Sequence, residues 1–277
     1  MENGSPGKLR VGALDLHYLT WGPEDRPTVV LLHGASAHAH WWDYVAPALA
    51  ERYRVLAPDL RGHGESDHAR PPAYAIDDYV HDLEALTSVL APSRFALVGH
   101  SLGGVIALRY TERLAARVAT LAIIDSRART GSGRSGLVNR LSVLPHPVFA
   151  SPEEAVQRFR LLPRGTTARP EVLRHMALAG IRATGEGTFT LKFDRTAFAK
   201  RTLLDLMPAL AAVQCPTLIV RGSESVFVDA DTLTEMGTAC PQAELATIED
   251  AHHHVVLDRP EAIAMRLLLF LERHLVV

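Results

Sequence analysis

Lysine is nearly absent from this chain. Of its 29 lysine and arginine residues, only Lys8, Lys192 and Lys200 are lysine. Composition bias accounts for that imbalance better than a phosphate-binding role, because the formal net charge is only −2. A balance so close to neutral gives no electrostatic reason to expect nucleic acid or an acidic membrane surface as a partner. Cysteine is scarce too. Cys215 and Cys240 have neither CxxC nor metal-ligand spacing, so two free thiols are expected rather than a disulfide. No apolar run reaches the roughly 18 residues of a membrane span, since Arg266 and Glu272 interrupt the best candidate. The opening "MENGSPGKLR" lacks the apolar centre of a secretory signal. These absences predict a soluble, cytoplasmic protein, and nothing in the sequence speaks to its oligomeric state.

What is present is a chain of 277 residues, 47% of them apolar. A globular chain of that length buries about three quarters of its unfolded surface and needs no staple. Short apolar runs alternate with longer helical patterns. Strands are predicted at Leu14–Thr20, Thr28–His33, Tyr53–Ala57, Arg94–Val98, Thr120–Ile124, Pro216–Arg221 and Ala243–Ile248. Most are continuously apolar, as parallel strands covered on both faces require. Helices are predicted at Trp42–Glu51, Ile76–Leu90, Leu102–Leu114, Asp229–Ala239 and Pro260–His274, with Asp77, Ser101 and Asp229 near helix starts where caps are useful. The alternation implies a doubly wound α/β sheet. It breaks at about Ser126 and resumes at about Met207. That stretch, rich in turn residues and helix-like pieces but without a strong buried strand, reads as a helical cap (126–207) on a core of 1–125 and 208–277.

The most specific signal is "FALVGHSLGG". A strand runs into Gly99-His100-Ser101-Leu102-Gly103 and then a helix, which is G-x-S-x-G in strand–turn–helix context. A turn that tight needs small neighbours, and it pushes the Ser101 hydroxyl outward at the carboxyl edge of the sheet, beside the unpaired N–H groups of a helix start. Ser101 is therefore the candidate nucleophile.

At these residues the chain resembles the α/β-hydrolase superfamily. "LLHGASAHAHWW" looks like that family's loop after its third strand, and "VLAPDLRGHGES" like the loop after its fourth. The resemblance spans nearly the whole sequence. It implies a mostly parallel eight-stranded sheet with the cap inserted after the sixth strand. It also implies oxyanion-hole N–H donors at Ala35 and Leu102. His33, Asp59, Arg61 and His63 are expected to brace the two loops.

The resemblance places the general base in "IEDAHHHVVLDRPEAI". Serine is a weak nucleophile without one. Aligning Asp258 and Pro260 with the family's acidic residue and proline selects His253, with His252 where a glycine is usual; His252 and His254 are the alternatives. Three consecutive histidines do not converge easily on one ion, so no metal is expected there, and the chemistry needs no organic cofactor.

The acid is less obvious. In the family it commonly sits in the loop after the penultimate strand, here "LIVRGSESVFVDAD", but the expected position is Ser225. Glu224 is one residue early, and Asp229 and Asp231 open a helix, where acids are favoured. A second place is the carboxyl end of "ATLAIIDSRA", where Asp125 ends the strand expected beside that of Ser101. Neighbouring parallel strands end about 5 Å apart, within reach of one histidine. Asp125 is the favoured acid, with Glu224, Asp229 and Asp231 as alternatives.

The expected activity is hydrolysis of a small-molecule carboxylic ester through a serine acyl-enzyme. A lactonase, a thioesterase or a C–C bond hydrolase would use the same groups, as would a cofactor-free oxygenase or perhydrolase. A ligand receptor with a hydrolase-like pocket and little turnover is the rival from another class.

Overall fold

The computed structural model describes residues 4–129, 142–198 and 204–275. Its first six strands are β1 (Ser5–Val11), β2 (Leu14–Trp21), β3 (Thr28–Leu32), β4 (Arg54–Pro58), β5 (Phe95–His100) and β6 (Val118–Ile124). Three short strands follow, β7 (Val148–Phe149), β8 (Ile181–Ala183) and β9 (Phe189–Leu191), and then β10 (Thr217–Gly222) and β11 (Glu244–Ile248). The main sheet has eight strands in the order β1-β2-β4-β3-β5-β6-β10-β11. β1 and β2 form an antiparallel hairpin and β2 is antiparallel to β4; every later pairing is parallel. The predicted doubly wound, mostly parallel sheet is therefore the observed one.

Side-chain alternation explains why helices cover both faces. Along β3, Val29 and Leu31 join one apolar cluster while Val30 and Leu32 join another; along β5, Ala96 and Val98 face one way, and Phe95 and Leu97 the other. The first cluster is closed by the helix Pro260–His274 through Ile263, Leu267 and Phe270, together with Trp42 and Leu49. The second is closed by the helices Ile76–Leu90 and Leu102–Arg113 through Val80, Leu83, Ile106 and Tyr110. A parallel strand hidden on both faces must be apolar at every position, and β5 is buried at all six.

The helix expected over Trp42–Glu51 is split. A 3-10 turn covers Ala39–Trp42, and an α-helix begins only at Ala46, with Pro47 in its first turn. Of the three expected helix-start residues, Asp229 caps through its side chain, accepting from the Thr232 N–H at 2.8 Å. Asp77 instead pairs with Arg109, and Ser101 makes no side-chain cap.

The segment after β6 is not purely helical. Helices at Pro152–Arg158 and Pro170–Ala179 are joined by an antiparallel sheet in the order β7-β9-β8. Strands of two or three residues are too short to leave a countable period in sequence, which is why a helical cap was expected. Phe149 and Phe189 pack within this small unit, whereas Phe193 and Phe198 lie against Ala35 and Tyr74 of the core. Among the described residues, no helix is long and apolar enough to cross a membrane, and both cysteines are free thiols.

Candidate active site

The turn after β5 is as tight as its glycines suggest. Ser101 has φ +53° and ψ −115°, a region that side-chain-bearing residues rarely occupy and that costs on the order of 1–3 kcal/mol. A Cβ on Gly99 would stand 2.2 Å from the Gly103 carbonyl oxygen, and one on Gly103 would stand 2.3 Å from the Leu32 carbonyl oxygen. Glycine is thus required at both positions for the chain to double back against β3. The turn is pinned by the Ser101 N–H bonding to the Ile124 carbonyl at 3.0 Å. It leaves the Ser101 side chain half-buried, not sealed in the core.

Two N–H groups flank this serine. Leu102 opens the following helix, where a first-turn N–H has no intrahelical partner. Gly34 packs directly on the serine, since a Cβ there would lie 3.2 Å from Ser101 Cβ, and Ala35 is the next residue. Among the described residues neither the Ala35 nor the Leu102 N–H has an acceptor. The loop carrying Ala35 is held by His33, whose Nδ1 donates to the Gly34 carbonyl while its Nε2 accepts from the Leu60 N–H. Asp59 receives the Ala39 and Glu65 N–H groups and His17 Nδ1. Burial alone would raise the Asp59 carboxyl, but the His17 hydrogen bond leads the contacts that hold it below the usual range. Arg61 makes a two-pronged pair with Asp82, and His63 Nδ1 donates to the Arg61 carbonyl. These four residues brace the two loops, as their positions suggested.

His253 brings the acid and the serine together. Its Nε2 lies 3.0 Å from Ser101 Oγ and its Nδ1 lies 2.6 Å from Asp125 Oδ2. Asp125 sits at the carboxyl end of β6 with φ +43° and is fully buried. Its Oδ1 accepts from the Gly222 N–H at 3.0 Å, and its Oδ2 also accepts from Ser225 Oγ at 2.7 Å. Burial pushes the carboxyl up to about 6, against the Ser225 and Gly222 donors that favour its charged form. An ionised carboxylate only accepts, so Nδ1 carries the imidazole proton and Nε2 presents its lone pair to the Ser101 hydroxyl.

Ser225, which stands where the resemblance led one to expect the acid, is a donor to Asp125, which lies one strand over. Its oxygen accepts from the Phe227 and Val228 N–H groups at 3.1 and 3.2 Å, which directs its own proton to Asp125. The alternative acids lie elsewhere. Glu224 is exposed beside Ser223, Asp229 caps a helix, and Asp231 is exposed in that helix's first turn.

The three consecutive histidines take three directions. His252 lies against Gly165, His253 faces Ser101, and His254 Nε2 donates to the Pro163 carbonyl at 2.9 Å. Burial pushes His254 down to about 4, so it stays neutral at ordinary pH. His100, left without a role by sequence reasoning, donates from Nε2 to the backbone carbonyl of His253 at 2.7 Å and stacks on Trp41. Burial pushes it down to about 3. The Phe227 ring lies over His253 at 4.3 Å. Neither contact leaves a spacing that a sequence motif would display. Asp258, used above only to fix the register of the histidines, accepts from the His252, Thr167 and Ala168 N–H groups and from the Thr166 hydroxyl.

Comparison with known proteins agrees with this architecture. The profile described as "Alpha/beta hydrolase family" matches residues 29–266. The dihydrolipoyllysine-residue acetyltransferase component of an acetoin cleaving system from Pseudomonas putida is 30% identical, over 99% of this chain and 71% of its own. The magnesium-chelatase 30 kDa subunit of Rhodobacter capsulatus is 29% identical, over 91% of this chain and 90% of its own. Among solved structures, a thermophilic esterase from Thermogutta terrifontis superposes with a TM-score of 0.75 at 26% identity, covering 98% of this chain and 99% of that one. With a profile match over most of its length and a half-buried serine at the sheet edge to go with it, this chain belongs to the alpha/beta hydrolase family.

Proposed function

We propose that the protein hydrolyses small carboxylic esters through a serine acyl-enzyme, with Ser101, His253 and Asp125 as its catalytic groups. The observation that carries this reading is the unbroken relay of 3.0 Å from Ser101 Oγ to His253 Nε2 and 2.6 Å from His253 Nδ1 to Asp125. His253 takes the Ser101 proton as the oxygen attacks the ester carbonyl, and Asp125 stabilises the imidazolium that forms. The tetrahedral oxyanion is held by the Ala35 and Leu102 N–H groups, each worth on the order of 3 kcal/mol. The imidazolium then protonates the departing alcohol. A water activated by the same imidazole attacks the acyl-enzyme and releases the acid, restoring Ser101.

The site needs no metal or organic cofactor for these steps. The esterase among the similar structures supports the ester reading. Phe193 and Phe198 pack against Ala35, which carries one of the two donors, and in this reading they supply apolar surface beside the bound ester. In this reading the 126–207 insertion serves as the cap. The intact relay and the two free N–H donors favour an enzyme over a receptor of the same shape, because a binding pocket needs neither.

A fluorophosphonate probe should label wild-type protein at Ser101, and p-nitrophenyl esters of short acids should turn over. Both should vanish in Ser101→Ala. An ester and lactone panel run on wild type, Asp125→Asn and Glu224→Gln tests the acid. Loss of turnover in Glu224→Gln with Asp125→Asn near wild type would overturn the assignment.

A further inference from the structure

Away from the serine, three potential ligand atoms converge where the segment following Ala35 meets the helix Pro170–Ala179. His40 Nδ1 and His175 Nε2 lie 2.9 and 2.7 Å from the same oxygen of Asp43, Oδ2. All three ligand atoms lie within 4.8 Å of one another. His40 and Asp43 share a face because Ala39–Trp42 is a 3-10 turn, with the Asp43 N–H bonded to the His40 carbonyl at 3.1 Å. In such a turn side chains three apart eclipse. His175 comes from the insertion, 132 positions along the chain from Asp43.

Hydrogen bonding accounts for this cluster poorly. The Asp43 side chain is only 5% exposed, and a buried carboxylate ordinarily pairs both oxygens. Here both imidazoles go to Oδ2, while Oδ1 is buried with no partner among the described residues. The imidazoles themselves are about one-third exposed, at 32% and 33%. A pair of imidazoles and a carboxylate meeting at a half-open point is a donor set suited to zinc, with water completing the coordination. Zinc–ligand bonds of about 2.0–2.2 Å put neighbouring ligand atoms roughly 3.3 Å apart. The present separations reach that value by small side-chain rotations in the two exposed histidines.

We propose that His40, Asp43 and His175 form a divalent transition-metal site of the zinc class. It ties the helix Pro170–Ala179 to the core segment that follows the oxyanion loop. The ion displaces the imidazole protons that face Asp43, leaving His40 bound through Nδ1 and His175 through Nε2. Its role is to fasten the insertion in place, alongside the hydrogen bond from His38 Nε2 to the Met176 carbonyl. The site does not touch the reacting atoms.

The test is calorimetric titration of chelator-stripped protein with zinc chloride, together with the visible absorption of a cobalt(II) titration. One ion per chain should bind, and the melting temperature should rise. Loss of a supporting residue costs about 10–100-fold in metal affinity, so His40→Gln and His175→Gln should each weaken zinc by at least the upper figure. Both side chains are about one-third exposed, and the variants' melting temperatures in chelator should stay near wild type. His252→Gln, a change at a histidine outside the cluster, should bind as wild type does. Absence of stoichiometric uptake, or uptake that survives in the His40→Gln, His175→Gln double variant, would overturn the proposal.

Discussion

Asp125 is charged at a cost. A carboxyl that burial raises to about 6 takes up its proton more readily folded than unfolded. Its ionisation therefore destabilises the fold above that pH, and the penalty is relieved as pH falls from about 6 towards the ordinary carboxyl value. Function has the opposite sign, since protonated Asp125 no longer accepts from His253 Nδ1. We expect kcat/KM for an ester to decline as pH drops through about 6, and a profile flat from pH 8 to 5 would contradict this. Asp125→Asn should lower kcat by about 10⁴-fold, as loss of the correct imidazole tautomer does elsewhere. It should nonetheless unfold in urea at pH 7 at the same concentration as wild type or higher. Ser225→Ala removes the largest contribution that holds Asp125 down, so the acid limb of the pH–rate profile should move to higher pH. Ser225 shows how far a sequence reaches at this scale. A serine at the family's acid position was legible as an absence, and the absence pointed to Asp125. That its hydroxyl turns towards Asp125 depends on two backbone donors, Phe227 and Val228, which no residue pattern records.

Elements with a full period were legible and fragments were not. Ile76–Leu90 and Pro260–His274 have the limits that capping and proline signals suggested. The three strands of the insertion contain two or three residues each. β1 was missed because it is an edge strand carrying Pro6 and Gly7, with only alternate residues partly buried. The strand–turn–helix around Ser101 was readable because its constraints are steric and local. Gly103→Ala tests them, since the new Cβ would meet the Leu32 carbonyl of β3 at 2.3 Å. Overpacking of that kind costs about 1–3 kcal/mol or more, and here it falls on backbone that cannot rotate away. The urea midpoint should drop by a corresponding amount, and ester turnover should be lost even where the variant folds.

At the scale of the whole molecule, the insertion is sewn to the core close to His253, whose Nε2 lies against Ser101 Oγ. Pro163 receives His254, and Asp258 gathers the irregular stretch 166–168 together with the His252 N–H. Asp258→Ala leaves those donors facing a buried gap, at about 1–3 kcal/mol for each that finds no water. We expect a lower urea midpoint and faster trypsin cleavage after Arg164. A cleavage rate equal to that of wild type would mean that Asp258 does not hold this segment. Sequence reasoning located the insertion from the broken strand–helix rhythm but not its attachments, which join residues about 90 positions apart. One further consequence follows from where the insertion begins. Asp125 is the last residue before it, and Ser126 is wedged against Gly104, where a Cβ would come within 2.6 Å of the serine's own. That packing leaves no room for a side chain at position 104 without pushing the residue beside Asp125, so the place of the carboxylate is tied to the small residues that open the Ser101 helix.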